Sequence, residues 1–421
     1  MWGPFRLSFC WIRPLFTRGI MSRKMLPSLA IYVALACSPS TTTAQSPGTW
    51  THTGSMSVGR RGAFTATLLT NGKVLVAGGC IDNPADPYCN GSATDGAELY
   101  DQSAGTWAPT GSMTSPRQGH TATLLADGKV LVAGGQLQAC LSTSSAELYD
   151  PDTGKWTPTG SMNSPRSRHF ATLISSGHLY GRVLAGGGYI NQNDGGCGGN
   201  AQLASTELYN PATGTWSKTS RMTKARDYPV ALTLPDASVL VIGVLNCCPY
   251  KWFSTAESYD ANTQLWTPTN RRTTHANGSA VVLQDGRILV AGGTRGTQPN
   301  SVNVASVELF DSSTRTWTAT ASMSTDRSGH TLTLLARSQV LVAGGASGGW
   351  GVCNDLTSAE LYDSSAGKWF LTGNMTTARN GHTATSLPNG QVLAAGGTDC
   401  EGSILTSAEL YTPPPVATWH P

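Results

Sequence analysis

One segment recurs seven times along the chain, and it constrains the fold more tightly than any other property. Its cleanest copy runs from Trp107 to Tyr149. It reads as a Trp, TGSM, an Arg, a Gly-His pair inside an alternating HTATLL run, an Asp-Gly turn, KVLVAGG, a variable stretch and AELYD. The repeat Trps are Trp50, Trp107, Trp156, Trp216, Trp266, Trp317, Trp369 and Trp419, spaced 49 to 60 residues apart. Glycine doublets sit at matching places: Gly78-Gly79, Gly134-Gly135, Gly186-Gly187, Gly292-Gly293, Gly344-Gly345 and Gly396-Gly397, with Gly243-Val244 the exception. One such unit cannot bury its apolar face alone, so the units must pack against one another.

Each unit reads as four strands. Strand A is the alternating run after the Arg, such as Thr121–Leu125. An Asp-Gly or Asn-Gly pair follows (Asp127-Gly128, Asn71-Gly72, Asp285-Gly286, Asn389-Gly390), which is a strong hairpin signal. Strand B is the Val-Leu-Val run, strand C the Ala-Glu-Leu-Tyr run, and strand D carries the Trp. Abundant Gly, Ser- and Thr-rich strands and the lack of helical periodicity favour an all-β protein. Only 13% of residues are charged and the net charge is +3, with no basic run, which argues against a nucleic-acid partner.

On this period near fifty, with its Gly doublets and Trps, the chain resembles the kelch-repeat β-propeller family and the central domain of galactose oxidase. The resemblance spans residues 47–421 and implies a seven-bladed propeller of four-stranded antiparallel blades, strand A innermost and strand D outermost. Residues 1–46 stand outside it as a targeting segment. Eight Trps for seven blades leave one over. Trp50 is followed by a proper link into the first unit, so we expect it to close the ring as the outer strand of blade seven, with Trp419 packed at the edge.

A residue present in every blade reads as architecture, because chemistry needs one site. Glu98, Glu147, Glu207, Glu257, Glu308, Glu360 and Glu409 lie nine residues before the next Trp, or ten in the last case. Arg60, Arg117, Arg166, Arg226, Arg327 and Arg379 lie ten after a Trp, while unit five has Ala276 there and Arg271 and Arg272 nearby. A buried carboxylate needs a partner, so we expect a structural ring of Glu–Arg pairs. His120, His169, His330 and His382 share a third position. Metal-ligand bonds of about 2.0–2.1 Å cannot be met by imidazoles spread around a wide pore, so these His read as hydrogen-bonded structural groups, and no metal site is expected. The doublets are not phosphate loops, for neither Lys-Ser/Thr nor a helix follows them.

Function is sought in what does not repeat. The B–C loops are long and mutually unlike, and with the D–A links they emerge on one face, which is the expected binding face. All eight cysteines after the leader fall in them: Cys80, Cys89, Cys140, Cys197, Cys247, Cys248, Cys353 and Cys400. Blade adjacency makes Cys80–Cys89, Cys140–Cys197, Cys353–Cys400 and Cys247–Cys248 the most economical disulfides, although sequence alone leaves connectivity open. Tyr88, Tyr189, Tyr250, Trp252, Phe253 and Trp350 are the aromatic candidates for ligand contact there, with no catalytic residue assigned.

The leader places Arg23 and Lys24 before an apolar run from Met25 to Ala36, the layout of an export signal. Met1–Ile20 reads as an upstream mis-start. Cleavage after Thr42-Thr43-Ala44 competes with lipidation at Cys37 in Ala34-Leu35-Ala36-Cys37. The expectation is an exported monomer, extracellular, periplasmic or at the outer cell surface. It would bind a protein or a glycan through its loop face, with no cofactor and no membrane span. The resemblance implies two alternatives, a copper oxidase like galactose oxidase and a sialic-acid mutarotase-like enzyme. Neither finds its residues here: no Tyr-His pair is adjacent in sequence, and the only Arg and Glu sets are the repeated ones.

Overall fold

The computed structural model describes residues 47–415 except 82–91, 138–140, 192–200, 245–250, 253, 274, 277, 298–299, 350–351, 353 and 400. It contains seven four-stranded antiparallel sheets. Blade one is Thr65–Leu68, Val74–Ala77, Ala97–Asp101 and Thr106–Pro109, labelled A to D. Blade two is Thr121–Leu124, Val130–Ala133, Ala146–Asp150 and Lys155–Thr159. Blade three is Phe170–Leu173, Val183–Gly186, Thr206–Asn210 and Thr215–Thr219. Blade four is Asp227–Thr233, Val239–Val244, Ser254–Asp260 and Leu265–Thr273. Blades five and six start at Ser279 and Thr331 and repeat the order. Blade seven takes strands A to C from Thr383–Ser386, Val392–Ala395 and Ala408–Thr412, and its outer strand from Thr49–Thr53. Trp50 pairs with Tyr411 there, so the first described strand closes the ring. Trp419 lies outside the described residues.

The seven A strands neighbour one another in a closed circle around an axis. Their residues are mostly half-buried, whereas strand B is buried throughout, as in Val74–Ala77 and Val130–Ala133. A strand that faces a solvent channel on one side can afford Thr; one with a blade on both faces cannot. The core is divided among the blade interfaces. Leu75, Ala77 and Met113 of the first two units pack with Val130, Val132 and Tyr149, and corresponding clusters fill the other six joints. Each buried Val, Leu or Met contributes about 1.5–3 kcal/mol.

The repeated polar residues stitch these joints. The Trp156 indole N–H donates to Gly111 O at 2.6 Å, and Tyr149 exchanges a hydrogen bond with Thr110 at 2.8 Å. Trp107, Trp216 and Trp266 reach back to the preceding link in the same way. Within each pair the Tyr and Trp rings lie about 5 Å apart and tilted, as at Tyr149–Trp156 (4.9 Å, 49°).

Six Arg–Glu pairs are buried inside their own blades: Arg60–Glu98, Arg117–Glu147, Arg166–Glu207, Arg226–Glu257, Arg327–Glu360 and Arg379–Glu409, at 2.7–3.3 Å. Arg117 also donates to Gly134 O and Ser145 O, and Glu147 accepts the Thr114 backbone N–H at 2.7 Å. The pair thereby ties the D–A link to strands B and C. Blade five uses a different residue. His275 is buried one position before Ala276, its Nδ1 2.7 Å from Gly292 O and its Nε2 3.6 Å from Glu308. An imidazole thus stands where the other blades have a guanidinium.

Candidate functional site

The two faces of the ring differ in kind. One carries A–B and C–D turns, short in most blades, with a longer A–B turn in blade three and a 3-10 turn at Ala336–Ser338 in blade six. Asp101, Asp150, Asp260, Asp311 and Asp363 each accept a backbone N–H two residues on, forming the same turn five times. These bonds hold the Asp101 carboxyl down at about 2, with Ser103 the main cause and Lys73 the next. The other face carries the D–A links and the B–C loops. Each described loop begins with a bridge back to a link, as in Gln118–Gln136, Ser167–Tyr189, Ser328–Ala346 and Asn380–Thr398.

The glycine doublets and histidines of this face are scaffold, with one correction: in blade three the left-handed pair is Gly187-Gly188, not Gly186-Gly187, because Gly186 is still paired within strand B and Arg166 reaches Gly187 O. Gly78 and Gly79 both have positive φ (62° and 89°), and a Cβ on Gly78 would stand 2.5 Å from the His120 ring of the next blade. Only glycine suits both demands. His120, His169 and His382 are buried, with Nε2 3.1–3.2 Å from Thr65, Thr121 and Thr331 of the preceding blade. Burial first, and nearby Arg second, pull His120, His330 and His382 down to about 3, so they are neutral imidazoles.

The loops are joined to one another. Lys251–Trp252 of the blade-four loop, Thr294–Thr297 and Val302–Asn303 of the blade-five loop form one small sheet, and Val302 bridges to Gly349 of blade six. Asn303 adds bonds to Gly348 O and Ala346 O. Between blades two and three, Ser142 N donates to Asn191 O, and Asn191 N to the Ser142 hydroxyl, at 3.0 Å each. Val302 (44%) and Val352 (57%) are exposed on this platform.

Of the aromatic candidates, Trp252 lies in that sheet opposite Gly296. Tyr189 corrects the expectation: it is buried, 3% exposed, not displayed for a ligand. It opens a short hairpin with Ala201–Gln202, and its ring is covered by the Arg168 guanidinium at 5.0 Å. Tyr88, Tyr250, Phe253 and Trp350 lie outside the described residues. So do Cys37, Cys89, Cys140, Cys197, Cys247, Cys248, Cys353 and Cys400. Cys80 is buried and disulfide-bonded.

The residue covering Tyr189 is one that pattern reading passed over. Twelve residues after the repeat Trp, where the D–A link enters strand A, the chain has Gly62, Gly119, Gly278, Gly329 and Gly381, but Arg168 in blade three and Tyr228 in blade four. In six blades the position is left-handed. Gly62, Gly119, Gly329 and Gly381 have φ of 60–70°, and Arg168 and Tyr228 have φ of 53° and 46°. Backbone bonds link these positions from blade to blade: Gly119 N to Ala63 O, Arg168 N to Gly119 O, Gly381 N to Gly329 O. Because strand A is innermost, they line the mouth of the axial channel on the loop face. Left-handed conformation costs a side-chain-bearing residue about 1–2 kcal/mol, and such strain concentrates at functional sites.

These two exceptions meet. Arg168 lies over the Tyr228 ring at 4.6 Å as well as over Tyr189, so its guanidinium is held between two aromatic faces. Its side-chain N–H groups make no hydrogen bond to any described residue. Tyr228 is 42% exposed, yet protein surrounds it on most sides, as the mouth of a narrow channel does, and this desolvation pushes its hydroxyl up to about 12. Asp227 completes the group. Burial raises its carboxyl, Arg168 opposes that rise, and the Tyr228 backbone N–H donates to it at 3.0 Å. The strand register shifts between Asp227 and Val230, an irregularity at the start of this strand. The signal in the sequence was the loss of the Gly-His pair, which becomes Arg-His at 168–169 and Tyr-Pro at 228–229.

A Tyr- and His-ligated copper does not fit this mouth. Its oxygen donors come with a guanidinium, and the imidazoles of His120, His169 and His382 are turned to Thr65, Thr121 and Thr331 in the blade joints.

Seven blades of this pattern make a seven-bladed β-propeller, and the chain carries kelch motifs. The kelch motif profile matches residues 119–163 and 275–324. Kelch repeat-containing protein kel-10 of Caenorhabditis elegans is 29% identical over 180 residues, 43% of this chain and 28% of that protein. Kelch repeat and BTB domain-containing protein F47D12.7 of the same organism is 31% identical over 144 residues, 33% of this chain and 23% of that protein. The chain thus aligns with about a quarter of the length of these relatives. A fungal alcohol oxidase of the AA5 family, solved in complex with copper, shares the fold: TM-score 0.65, 18% identity, 87% of this chain and 76% of that one.

Proposed function

We propose that the chain is an exported binding propeller that recognises a protein or glycan partner through the face carrying its B–C loops and D–A links. The observation that carries this reading is the contrast between the faces. One repeats the same C–D turn in five blades, whereas the other carries mutually unlike B–C loops and, among the described residues at the left-handed ring position, the side-chain-bearing Arg168 and Tyr228. Cysteines confined to the loops suit an oxidising compartment, where they staple the binding face. The export segment supports release, with lipidation at Cys37 the other outcome of processing, and the released chain is read as a monomer. Recognition by a preformed surface needs no cofactor.

The test presents the purified full chain to an array of immobilised glycans and to a displayed-peptide library. Saturable binding is expected. It should weaken at least tenfold in Trp252→Ala or Val352→Asp, and be unchanged in Lys73→Ala or Arg287→Ala on the opposite face. Binding that survives both loop-face substitutions but fails on the turn face would overturn the reading.

A further inference from the structure

We infer that the mouth formed by Arg168, Tyr189, Tyr228 and Asp227 is a receptor for a carboxylate-bearing sugar, a uronate residue of a glycan. This inference rests on the loop-face reading and names its ligand chemistry.

The Arg168 Cζ lies over the Tyr189 and Tyr228 rings, 5.0 and 4.6 Å from their centroids, so two aromatic faces hold the guanidinium. Its edge, with the paired N–H donors, is unspent among the described residues. A guanidinium fixed in plane with a free edge is matched by a planar two-oxygen anion, which it binds through two parallel charge-assisted hydrogen bonds. Stacking also lowers the cost of binding, since the side chain is already held.

The surroundings favour a sugar over a bare anion. Tyr228 is 42% exposed, and that open part of its ring offers an apolar platform for the C–H face of a pyranose. Asp227, beside the same ring, presents carboxyl oxygens that accept hydroxyl hydrogens. It would repel a dense anion such as a phosphate more than a sugar with one carboxylate and several hydroxyls. The strained backbone belongs to the same assignment. Glycine is what the ring uses at this position elsewhere, and a glycine at 168 or 228 would remove either the guanidinium or the platform.

Titration calorimetry of the full chain decides it, with trigalacturonate as probe and carboxyl-reduced trigalacturonate and hexaglutamate as comparisons. Trigalacturonate should bind, with the carboxyl-reduced trimer and hexaglutamate each at least tenfold weaker. Arg168→Gly should weaken trigalacturonate binding at least tenfold without loss of fold, because it restores the residue the ring prefers, and Arg168→Lys should retain an intermediate affinity. No binding of trigalacturonate, equal binding of the carboxyl-reduced trimer, tighter binding of hexaglutamate, or full affinity in Arg168→Gly would each overturn the inference. A partner sensitive to Val352→Asp but indifferent to Arg168→Gly and to trigalacturonate would leave the loop-face reading standing and remove this one. Loss of partner binding only through Lys73→Ala or Arg287→Ala would remove both.

Discussion

Blade two and blade three enter strand A by the same backbone path with different side chains. In blade two, Gly119 takes the left-handed turn at φ 60° and His120 follows into the joint with blade one. In blade three, Arg168 makes the same turn at φ 53°, and His169 follows into the joint with blade two. The histidine, the Arg–Glu pair and a left-handed Gly pair recur in both, whereas the residue facing the channel mouth changes from Gly119 to Arg168. Blade four goes further, with Tyr228 and then Pro229. The architecture therefore tolerates a strained side chain where it is not needed for packing, and adjacent blades hold two such residues in contact. Parts that repeat hold the ring together, and the part that breaks the repeat is where selection for something other than folding is visible.

The comparison can be broken first at the scaffold. Glu147→Ala in blade two leaves a buried Arg117 without its carboxylate, and such a loss costs about 3–5 kcal/mol. Urea denaturation should show it, and a loss below about 1 kcal/mol would mean that the pair is not structural. Gly78→Ala comes next. It forces a Cβ into the left-handed region and against His120, and about 1–3 kcal/mol is expected, read as a lowered midpoint.

How far each region was legible follows from how often it is written. The Trp, Tyr, Glu, Arg and Gly-Gly positions recur at one spacing, so noise in any one unit is averaged out, and the blades and their strand order could be read directly; the choice of Trp50 over Trp419 for the closing strand rested only on the link that follows it, and the Trp50–Tyr411 pairing decides it. The mouth is written once. Arg168 looks like one more Arg near Arg166, and its meaning depends on knowing that the position has positive φ, which no single unit reveals. Tyr189 was misread for a related reason. Loop membership suggested exposure, but the bridge from Ser167 to Tyr189 folds the loop start under Arg168. His275 was missed because the alignment pointed at Ala276, and the chain in blade five reaches Gly292 from one residue earlier.

A pH titration sharpens the scaffold side. The folded-state pKa of His120, His330 and His382 is depressed to about 3 from an ordinary 6.5. Between those values the unfolded chain binds the extra protons, so this contribution is fully present above about 6.5 and is lost as the pH falls toward 3. The slope is at most about 1.4 kcal/mol per pH unit per imidazole. Denaturation midpoints at pH 7.5 and 5.0 should differ in the wild type, and the difference should shrink in His382→Asn.

The central claim is that the ring itself has no need of Arg168. The most direct measurement is the stability of Arg168→Gly, by urea denaturation at neutral pH. Relief of the left-handed strain, offset in part by lost contact with two tyrosines, predicts a variant at least as stable as the wild type, with a gain of up to about 1–2 kcal/mol. A loss of 1 kcal/mol or more would make Arg168 part of the scaffold and contradict the account.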